Sequence, residues 1–140
     1  KTARERVLKA LFASLQAHFV FMPGVVLKTS MVIPGSESGV HATPEEVAKH
    51  TVEVLKATVP ADIGGVVFLS GGQTPDDATK NLNEIEKHGP FSWPVTFSYA
   101  RAVQNDPLMA WSGKDENVAE AQRVFIERLH LVSQARQGLL

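Results

Sequence analysis

Three short apolar runs alternate with amphipathic segments along this chain, and the alternation limits the fold more than any other feature. The runs lie at residues 25–27, 66–69 and 95–98, and each is followed by a predicted helix. The order helix, strand, helix, strand, helix, strand, helix is typical of a parallel sheet with right-handed crossovers. The first two runs are apolar without alternation, so we expect strands that are buried on both faces. The fold class is therefore α/β.

Four helices are predicted from apolar spacing and from their start signals. The first spans about residues 2–18 and the last about 115–136. The second and third begin at Thr-Pro-acid-acid motifs, in which Thr43 and Thr74 are the N-caps. Residues 107–111 are predicted to form a short turn. The apolar residues that we expect to face inward on the first and last helices are Val7, Leu8, Leu11, Leu15, Phe19, Val118, Ala121, Phe125, Leu129 and Val132.

The length of 140 residues is that of one ordinary domain. Three strands and four helices fit either a small open sheet or part of a (β/α)8 barrel, which takes about 250 residues when complete. The sequence begins at Lys1, almost directly inside a helical pattern, and not at a methionine. We therefore expect it to be a piece of a longer protein.

Composition excludes several classes of function. The net charge is −1, whereas a nucleic-acid-binding protein normally has a basic excess, so no nucleic-acid partner is expected. No apolar run approaches the roughly 18 residues of a membrane span, so no membrane partner is expected either. The absence of Cys excludes disulfides, thiolate metal sites and thiol nucleophiles. The five histidines show no metal-ligand spacing, and no metal site is predicted.

Reactive or phosphate-binding groups follow each predicted strand. These groups are Lys28, the Ser70-Gly71-Gly72 turn and Arg101. Ligands of parallel α/β folds bind at the carboxyl ends of the strands, so the three groups mark the candidate site. The loop after Lys28 has about fifteen residues, and loops of that length are often functional.

Lys28 has two interpretations. A lysine at the end of an apolar strand can simply extend its charged head into water. Alternatively, desolvation at a barrel mouth lowers the pKa of an amine, which leaves a neutral nitrogen that can attack a carbonyl and form a Schiff base.

The Ser70-Gly71-Gly72 turn and Arg101 also have two interpretations each. Glycines after a strand commonly make only a turn, but they also let backbone N–H groups approach a phosphate, next to the helix that begins after Thr74. Arg101 either forms a structural ion pair with an Asp or Glu or supplies a planar cationic group to the same phosphate.

Several motifs together resemble the class I fructose-bisphosphate aldolase family over nearly all 140 residues, in the order in which that family has them. The family usually has Pro-Asn after its Schiff-base lysine and Gly before its phosphate-binding arginine, where this chain has Thr29-Ser30 and Ala100. The matching motifs are Val26-Leu27-Lys28 with Met31 and Pro34-Gly35, then Thr58-Val59-Pro60, Val67-Phe68-Leu69-Ser70-Gly71-Gly72-Gln73, Phe97-Ser98-Tyr99-Ala100-Arg101-Ala102 and Ala110-Trp111-Ser112-Gly113-Lys114.

The resemblance implies that residues 1–140 are a single partial TIM-barrel domain, namely strands six to eight of a (β/α)8 barrel. The N-terminal strands, which carry the family's catalytic Asp, Glu and further Lys, and the C-terminal tail with its terminal Tyr would then lie outside this sequence. It further implies reversible cleavage of fructose 1,6-bisphosphate to dihydroxyacetone phosphate and glyceraldehyde 3-phosphate. Lys28 would be the amine that attacks the substrate, and no cofactor or metal would be needed. The residues implied to bind the substrate phosphate are Ser70, Gly71, Gly72, Ser98, Ala100 and Arg101.

Three hypotheses follow for this chain. It is part of an active aldolase, a half-barrel that binds sugar phosphates without chemistry, or an incomplete barrel that self-associates through its open edges. We favour the first for the parent protein, which the family resemblance implies to be a homotetramer and which we expect in the cytoplasm. The isolated 140-residue chain is expected to have little or no activity.

Overall fold

The computed structural model describes residues 1–140, which form five α-helices, two short 3₁₀-helices and three strands. In chain order the main elements are α1 (Thr2–Ala17), β1 (Val26–Ser30), α2 (Pro44–Thr58), β2 (Gly65–Leu69), α3 (Pro75–Glu86), β3 (Val95–Phe97), α4 (Arg101–Trp111) and α5 (Val118–Ala135), with 3₁₀ turns at Met22–Gly24 and Asp115–Asn117.

The three strands form one parallel sheet, as the alternating pattern predicts, and their order in it is β1-β2-β3. Its register places Lys28 opposite Val67 and Val67 opposite Thr96. These three residues therefore point to the same face of the sheet, because directly opposed residues of neighbouring strands share a face. In the order β1-β2-β3 both outer strands have one unpaired edge.

The α-helices pack around the hydrophobic core, with α1 on α2, α2 on α3, and α5 on both α3 and α4. The hydrophobic core joins buried strand residues such as Leu27 and Phe68 to apolar residues of every α-helix. Burial alternates along β1, with Leu27 and Thr29 buried while Val26 and Lys28 are exposed. The expectation that the first run is buried on both faces is wrong: Val26 is 58% exposed because no helix of this chain covers its face.

The Thr-Pro starts of two helices are confirmed. The Thr43 side chain accepts a hydrogen bond from the Glu46 N–H, and the Glu46 carboxylate accepts one from the Thr43 N–H. Thr74 caps α3 by accepting from the Asp77 N–H at 3.1 Å. Caps of this kind stabilise a helix by about 1 kcal/mol each. Both helices therefore begin where the sequence predicts.

The predicted turn at 107–111 is wrong, because these residues complete helix α4 (Arg101–Trp111). Pro107 lies inside α4, where it lacks the N–H that would bond to the fourth preceding carbonyl. The helix continues to Trp111 and ends at Ser112, which has φ +51°, followed by Gly113 at φ +72°. The element order thus has one more helix than predicted.

The predicted inward faces of α1 and α5 are only partly correct. Leu8 and Val132 are buried and Leu15 packs against the core, as expected, but Phe12 replaces the predicted Leu11 in the core. Phe19 lies beyond the end of α1 and is 94% exposed. Apolar residues of these helices point both toward the sheet and away from it, and periodicity alone does not tell the two directions apart. The predicted inward residues that are exposed are Val7, Leu11, Phe19, Val118 and Phe125.

No helix combines the length and the apolar character that crossing a membrane requires.

Candidate active site at the ends of the strands

Lys28 lies in the middle of β1, and not at its end as predicted. The strand continues through Thr29 to Ser30, since Thr29 pairs with Phe68 of β2 and packs on the helical face. Lys28 therefore projects from the opposite face, two residues before the carboxyl end of the strand. Its side chain is exposed, and it forms none of the ion pairs of the structure. In this chain the amine therefore extends into solvent, and the desolvation that activates a Schiff-base lysine is not supplied by these residues.

The Ser70-Gly71-Gly72 segment forms a tight turn between β2 and α3. Ser70 is buried and its carbonyl accepts a hydrogen bond from the Gln73 N–H at 3.1 Å. Gly72 has φ +80°, a conformation that residues with a Cβ rarely adopt. A methyl group on Gly72 would also lie 3.3 Å from Ile33 Cδ1 of the loop after β1. The turn therefore requires glycine at position 72.

Arg101 is the first residue of α4, and its guanidinium lies beside this turn. A methyl group added at Gly71 would be 3.8 Å from Arg101 Nη2. Arg101 is exposed and takes part in no ion pair, so the alternative of a structural pair with Asp or Glu is wrong. Its charge is available to an external anion.

A polar pocket of about 390 Å³ lies between the start of α3 and the first turns of α4. Arg101 is its only charged lining residue, and the pocket has no carboxylate in its wall. Such a pocket suits an anion the size of a phosphate, because the guanidinium offers several donors in one plane. The lining residues are Gly72, Gln73, Thr74, Pro75, Arg101 and Asn105.

Of the six predicted phosphate-binding residues only Gly72 and Arg101 line this pocket, and the other four, Ser70, Gly71, Ser98 and Ala100, do not. The Ser98 N–H donates to the Phe68 carbonyl at 2.8 Å and so extends the sheet by one bond. Ala100 precedes α4 with φ −106°, a negative value that does not call for glycine. Its carbonyl accepts hydrogen bonds from the Val103 and Gln104 N–H groups and begins the helix.

Two residues near the pocket escaped the sequence analysis. Asn105 lies one turn after Arg101 on α4, so both residues line the same pocket. The sequence did not predict this helix and therefore gave no reason to place the two residues together. Tyr99 donates a hydrogen bond from its hydroxyl to the Ala78 carbonyl of α3 at 2.9 Å. Burial raises the pKa of Tyr99, which keeps the hydroxyl protonated and able to donate. This bond fixes the segment before Arg101 against α3.

No group of three or more His, Asp or Glu side chains in the chain is arranged to hold a metal ion.

Comparisons with known proteins find one family over the whole chain. The family model described as fructose-bisphosphate aldolase class-I matches residues 1–140. Fructose-bisphosphate aldolase 4, cytosolic, of Arabidopsis thaliana is 50% identical over 135 residues, which are 96% of this chain and 34% of that protein. Fructose-bisphosphate aldolase 1 of Toxoplasma gondii is 48% identical over 96% of this chain and 37% of its own length.

A solved structure of Plasmodium falciparum fructose-bisphosphate aldolase, in complex with TRAP and a small-molecule inhibitor, has the same fold over this region. It superposes with a TM-score of 0.94 at 43% identity, and the match covers 98% of this chain and 40% of that one. The chain thus spans between a third and two-fifths of the length of these relatives. The family match over all 140 residues shows that this chain belongs to the class I fructose-bisphosphate aldolase family.

Proposed function

We propose that residues 1–140 are one unit that contributes strands six to eight to a (β/α)8 barrel. The uncovered face of the sheet supports this proposal, because Val26 and Lys28 project from it beside the half-buried Val67. In a complete barrel that face is the interior, where side chains from other strands pack in layers. The unpaired edges of β1 and β3 are the positions at which further strands would join.

The protein that contains this chain is proposed to be a class I fructose-bisphosphate aldolase. It cleaves fructose 1,6-bisphosphate reversibly to dihydroxyacetone phosphate and glyceraldehyde 3-phosphate. The observation that carries this proposal is the placement of Lys28. Its amine is accessible and free of ion pairs, and it lies on the sheet face that becomes the barrel interior.

In the proposed reaction Lys28 Nζ attacks the C2 ketone of the open-chain sugar, and loss of water leaves a protonated imine. The C3–C4 bond then breaks, and its electron pair moves into the imine to form an enamine on Lys28. The C4 hydroxyl loses its proton as glyceraldehyde 3-phosphate leaves. Protonation of C3 and hydrolysis of the imine release dihydroxyacetone phosphate and restore Lys28. No carboxylate lies at the strand ends of this chain, so the proton carriers are assigned to the other strands.

The pocket beside Arg101 is proposed to bind the substrate's C1 phosphate. The Arg101 guanidinium supplies the positive charge, and Gly72 lines the pocket while Gly71 lies beside the guanidinium. The two glycines let the backbone of the Ser70-Gly71-Gly72 turn come close to the anion. Ser98 and Ala100 are proposed to border the same phosphate, with Ala100 tolerated by its negative φ.

Trapping with borohydride tests the role of Lys28. A full-length protein that carries these residues is mixed with dihydroxyacetone phosphate and reduced, which converts an imine to a stable amine. We expect one adduct per chain, located on Lys28 by peptide mass spectrometry. The Lys28→Ala variant loses the adduct and the aldol cleavage activity.

Lys80 provides the matched control, because it is an exposed lysine of α3 without an ion pair. Lys80→Ala is expected to keep both the adduct and the activity. A label spread over several surface lysines, or activity retained in Lys28→Ala, contradicts the proposed function.

The full-length protein is further proposed to be a cytoplasmic homotetramer. The relative from Arabidopsis thaliana is described as cytosolic, and another from Spinacia oleracea as a cytoplasmic isozyme. Exposed apolar side chains on α1 and α5, including Val7 and Ile126, offer surface for contacts beyond this unit. Light scattering during size exclusion measures the assembly, and a monomeric mass contradicts this part of the proposal.

A further inference from the structure

Arg128 of α5 joins two other helices through a pair of carboxylates. Its Nη1 donates to Asp76 Oδ1 at 2.9 Å, and its Nη2 donates to Asp106 Oδ2 at 2.8 Å. Asp76 lies in the first turn of α3 and Asp106 lies in the middle of α4. The Arg128 side chain is only 12% exposed, and its bond to Asp106 is partly shielded from water, whereas Asp76 is mostly exposed.

Asp76 and Asp106 each come directly after a residue that lines the polar pocket beside Arg101, which is called the anion pocket below. Pro75 precedes Asp76 on one wall, and Asn105 precedes Asp106 on the other. Arg128 itself does not line the pocket. Arg128 therefore connects α3 and α4, the helices that form the two walls of the pocket, from a position outside the pocket.

Packing on α5 and the Tyr99–Ala78 hydrogen bond just before the helix hold the wall formed by α4, but its first turn has few polar restraints of its own. The helix has no side-chain N-cap, and Pro107 removes one of its internal hydrogen bonds. Arg101 forms no ion pair, so the position of its guanidinium depends on where α4 lies. A planar guanidinium that binds two carboxylates on separate helices fixes that position with charge-assisted hydrogen bonds.

We propose that Arg128 is a positioning residue for the phosphate pocket. It holds the first turns of α4 at the distance from α3 at which Arg101 and the Gly71-Gly72 turn bind the same anion. The inference rests on the proposed function for the identity of the natural anion, the C1 phosphate of a ketose or of dihydroxyacetone phosphate.

The test compares Arg128→Met, which removes both ion pairs, with Arg128→Lys, which keeps the charge but loses the planar fork. Arg123→Met is the matched control, because Arg123 lies on the same helix and pairs only with exposed Glu120 and Glu127 of α5 itself. The measurements, on the full-length protein, are the dissociation constant of inorganic phosphate by calorimetry and KM and kcat for the phosphorylated substrate.

We expect Arg128→Met to weaken phosphate binding about tenfold and to raise KM similarly, as expected when binding geometry is lost while kcat stays within about twofold. Arg128→Lys is expected to show an intermediate loss, and Arg123→Met none. A merely structural role for Arg128 would lower the unfolding midpoint and leave the phosphate affinity of the folded protein unchanged. Phosphate affinity within about twofold of the parent in Arg128→Met overturns the inference.

If Arg128→Met does not fold, Asp106→Asn decides the question, because it removes the charge of one partner of Arg128 with almost no change of shape. Weaker phosphate binding in that variant supports the inference, and unchanged binding overturns it. The proposed function is tested separately. A parent protein that binds phosphate but gives no borohydride adduct on Lys28 is not a Schiff-base aldolase. The dissociation constants of phosphate for the parent and the variants still decide the role of Arg128. A parent that binds no phosphate overturns the inference, whatever its activity.

Discussion

Arg4 of α1 donates a hydrogen bond from Nη1 to Oγ1 of Thr29, the residue of β1 that follows Lys28, at 3.0 Å. Thr29 is buried on the helical face of β1, and burial lowers the pKa of the Arg4 guanidinium. The family usually has proline at this position, and a proline offers no hydroxyl to accept such a bond. In this chain the bond therefore ties α1 to the strand that carries Lys28.

Thr29→Val is expected to destabilise the protein by about 1 kcal/mol, because the partly buried guanidinium loses its acceptor while the side-chain volume stays nearly constant. Urea denaturation followed by circular dichroism measures the change. Thr29→Ser keeps the hydroxyl and is expected to retain most of the bond. A Thr29→Val variant as stable as the parent would show that the hydrogen bond from Arg4 does not contribute to stability.

The carboxyl group of Glu86 at the end of α3 makes stability depend on pH. One of its oxygens is buried without a hydrogen-bond partner, and burial raises its pKa to about 7, against a smaller opposing effect of Arg136. The folded state thus binds a proton more tightly than the unfolded state, so Glu86 reduces stability as the pH rises from its ordinary pKa of 4.5 through 7.

Glu86→Gln removes this dependence, since the amide carries no charge at any pH. We expect the variant to be about 1 kcal/mol more stable than the parent at pH 8, a value reduced for solvent screening, and equally stable below pH 4.5. Urea midpoints measured across this pH range check the prediction. Glu120→Gln, at an exposed position of α5, is the control and should show no gain in stability at pH 8. A gain for Glu86→Gln that is the same at pH 4.5 and pH 8 contradicts it.

The sequence predicts the sheet and the helix starts because those depend on local signals. Apolar runs define β1 and β2, and the caps at Thr43 and Thr74 define where α2 and α3 begin. Helix α4 escaped because Pro107 is a strong local breaker, and packing on α5 overrides it here. The exposure of Val26 was not predicted either. An apolar strand has the same sequence pattern whether its second face is covered by residues of the same 140-residue chain or by other residues.

Only those residues of the candidate site that follow the ends of the strands could be predicted from the sequence. Arg101 and the glycine turn were predicted as neighbours because the ends of parallel strands meet at one edge of the sheet. The pairing of Arg128 with Asp76 and Asp106 was not predicted, since it joins residues 52 and 22 positions apart through tertiary packing alone. Sequence spacing carries no signal for such a contact.

Arg101→Ala in the full-length protein is expected to raise KM for dihydroxyacetone phosphate by about 10- to 100-fold, because a charge-assisted contact to the phosphate is lost. The KM for dihydroxyacetone, which has no phosphate, should stay within about twofold. Steady-state kinetics of the condensation reaction measures both. Equal losses for the two substrates would mean that Arg101 supports the site as a whole and does not bind phosphate.

Gly72→Ala is expected to destabilise the protein by about 1–2 kcal/mol, because an L-residue with a Cβ is strained in the left-handed conformation. Gly72 has φ +80°, and the added methyl would press on Ile33 Cδ1 at 3.3 Å, which shifts the turn that borders the anion pocket. Weaker phosphate binding should therefore accompany the lower urea midpoint. Gly35→Ala is the matched control, since Gly35 lies in the loop after β1 with nothing within 4 Å of an added methyl and without a positive φ. Gly35→Ala should match the parent in urea midpoint and in phosphate affinity. If Gly35→Ala lowers both as much as Gly72→Ala does, the positive φ of Gly72 does not explain the effect.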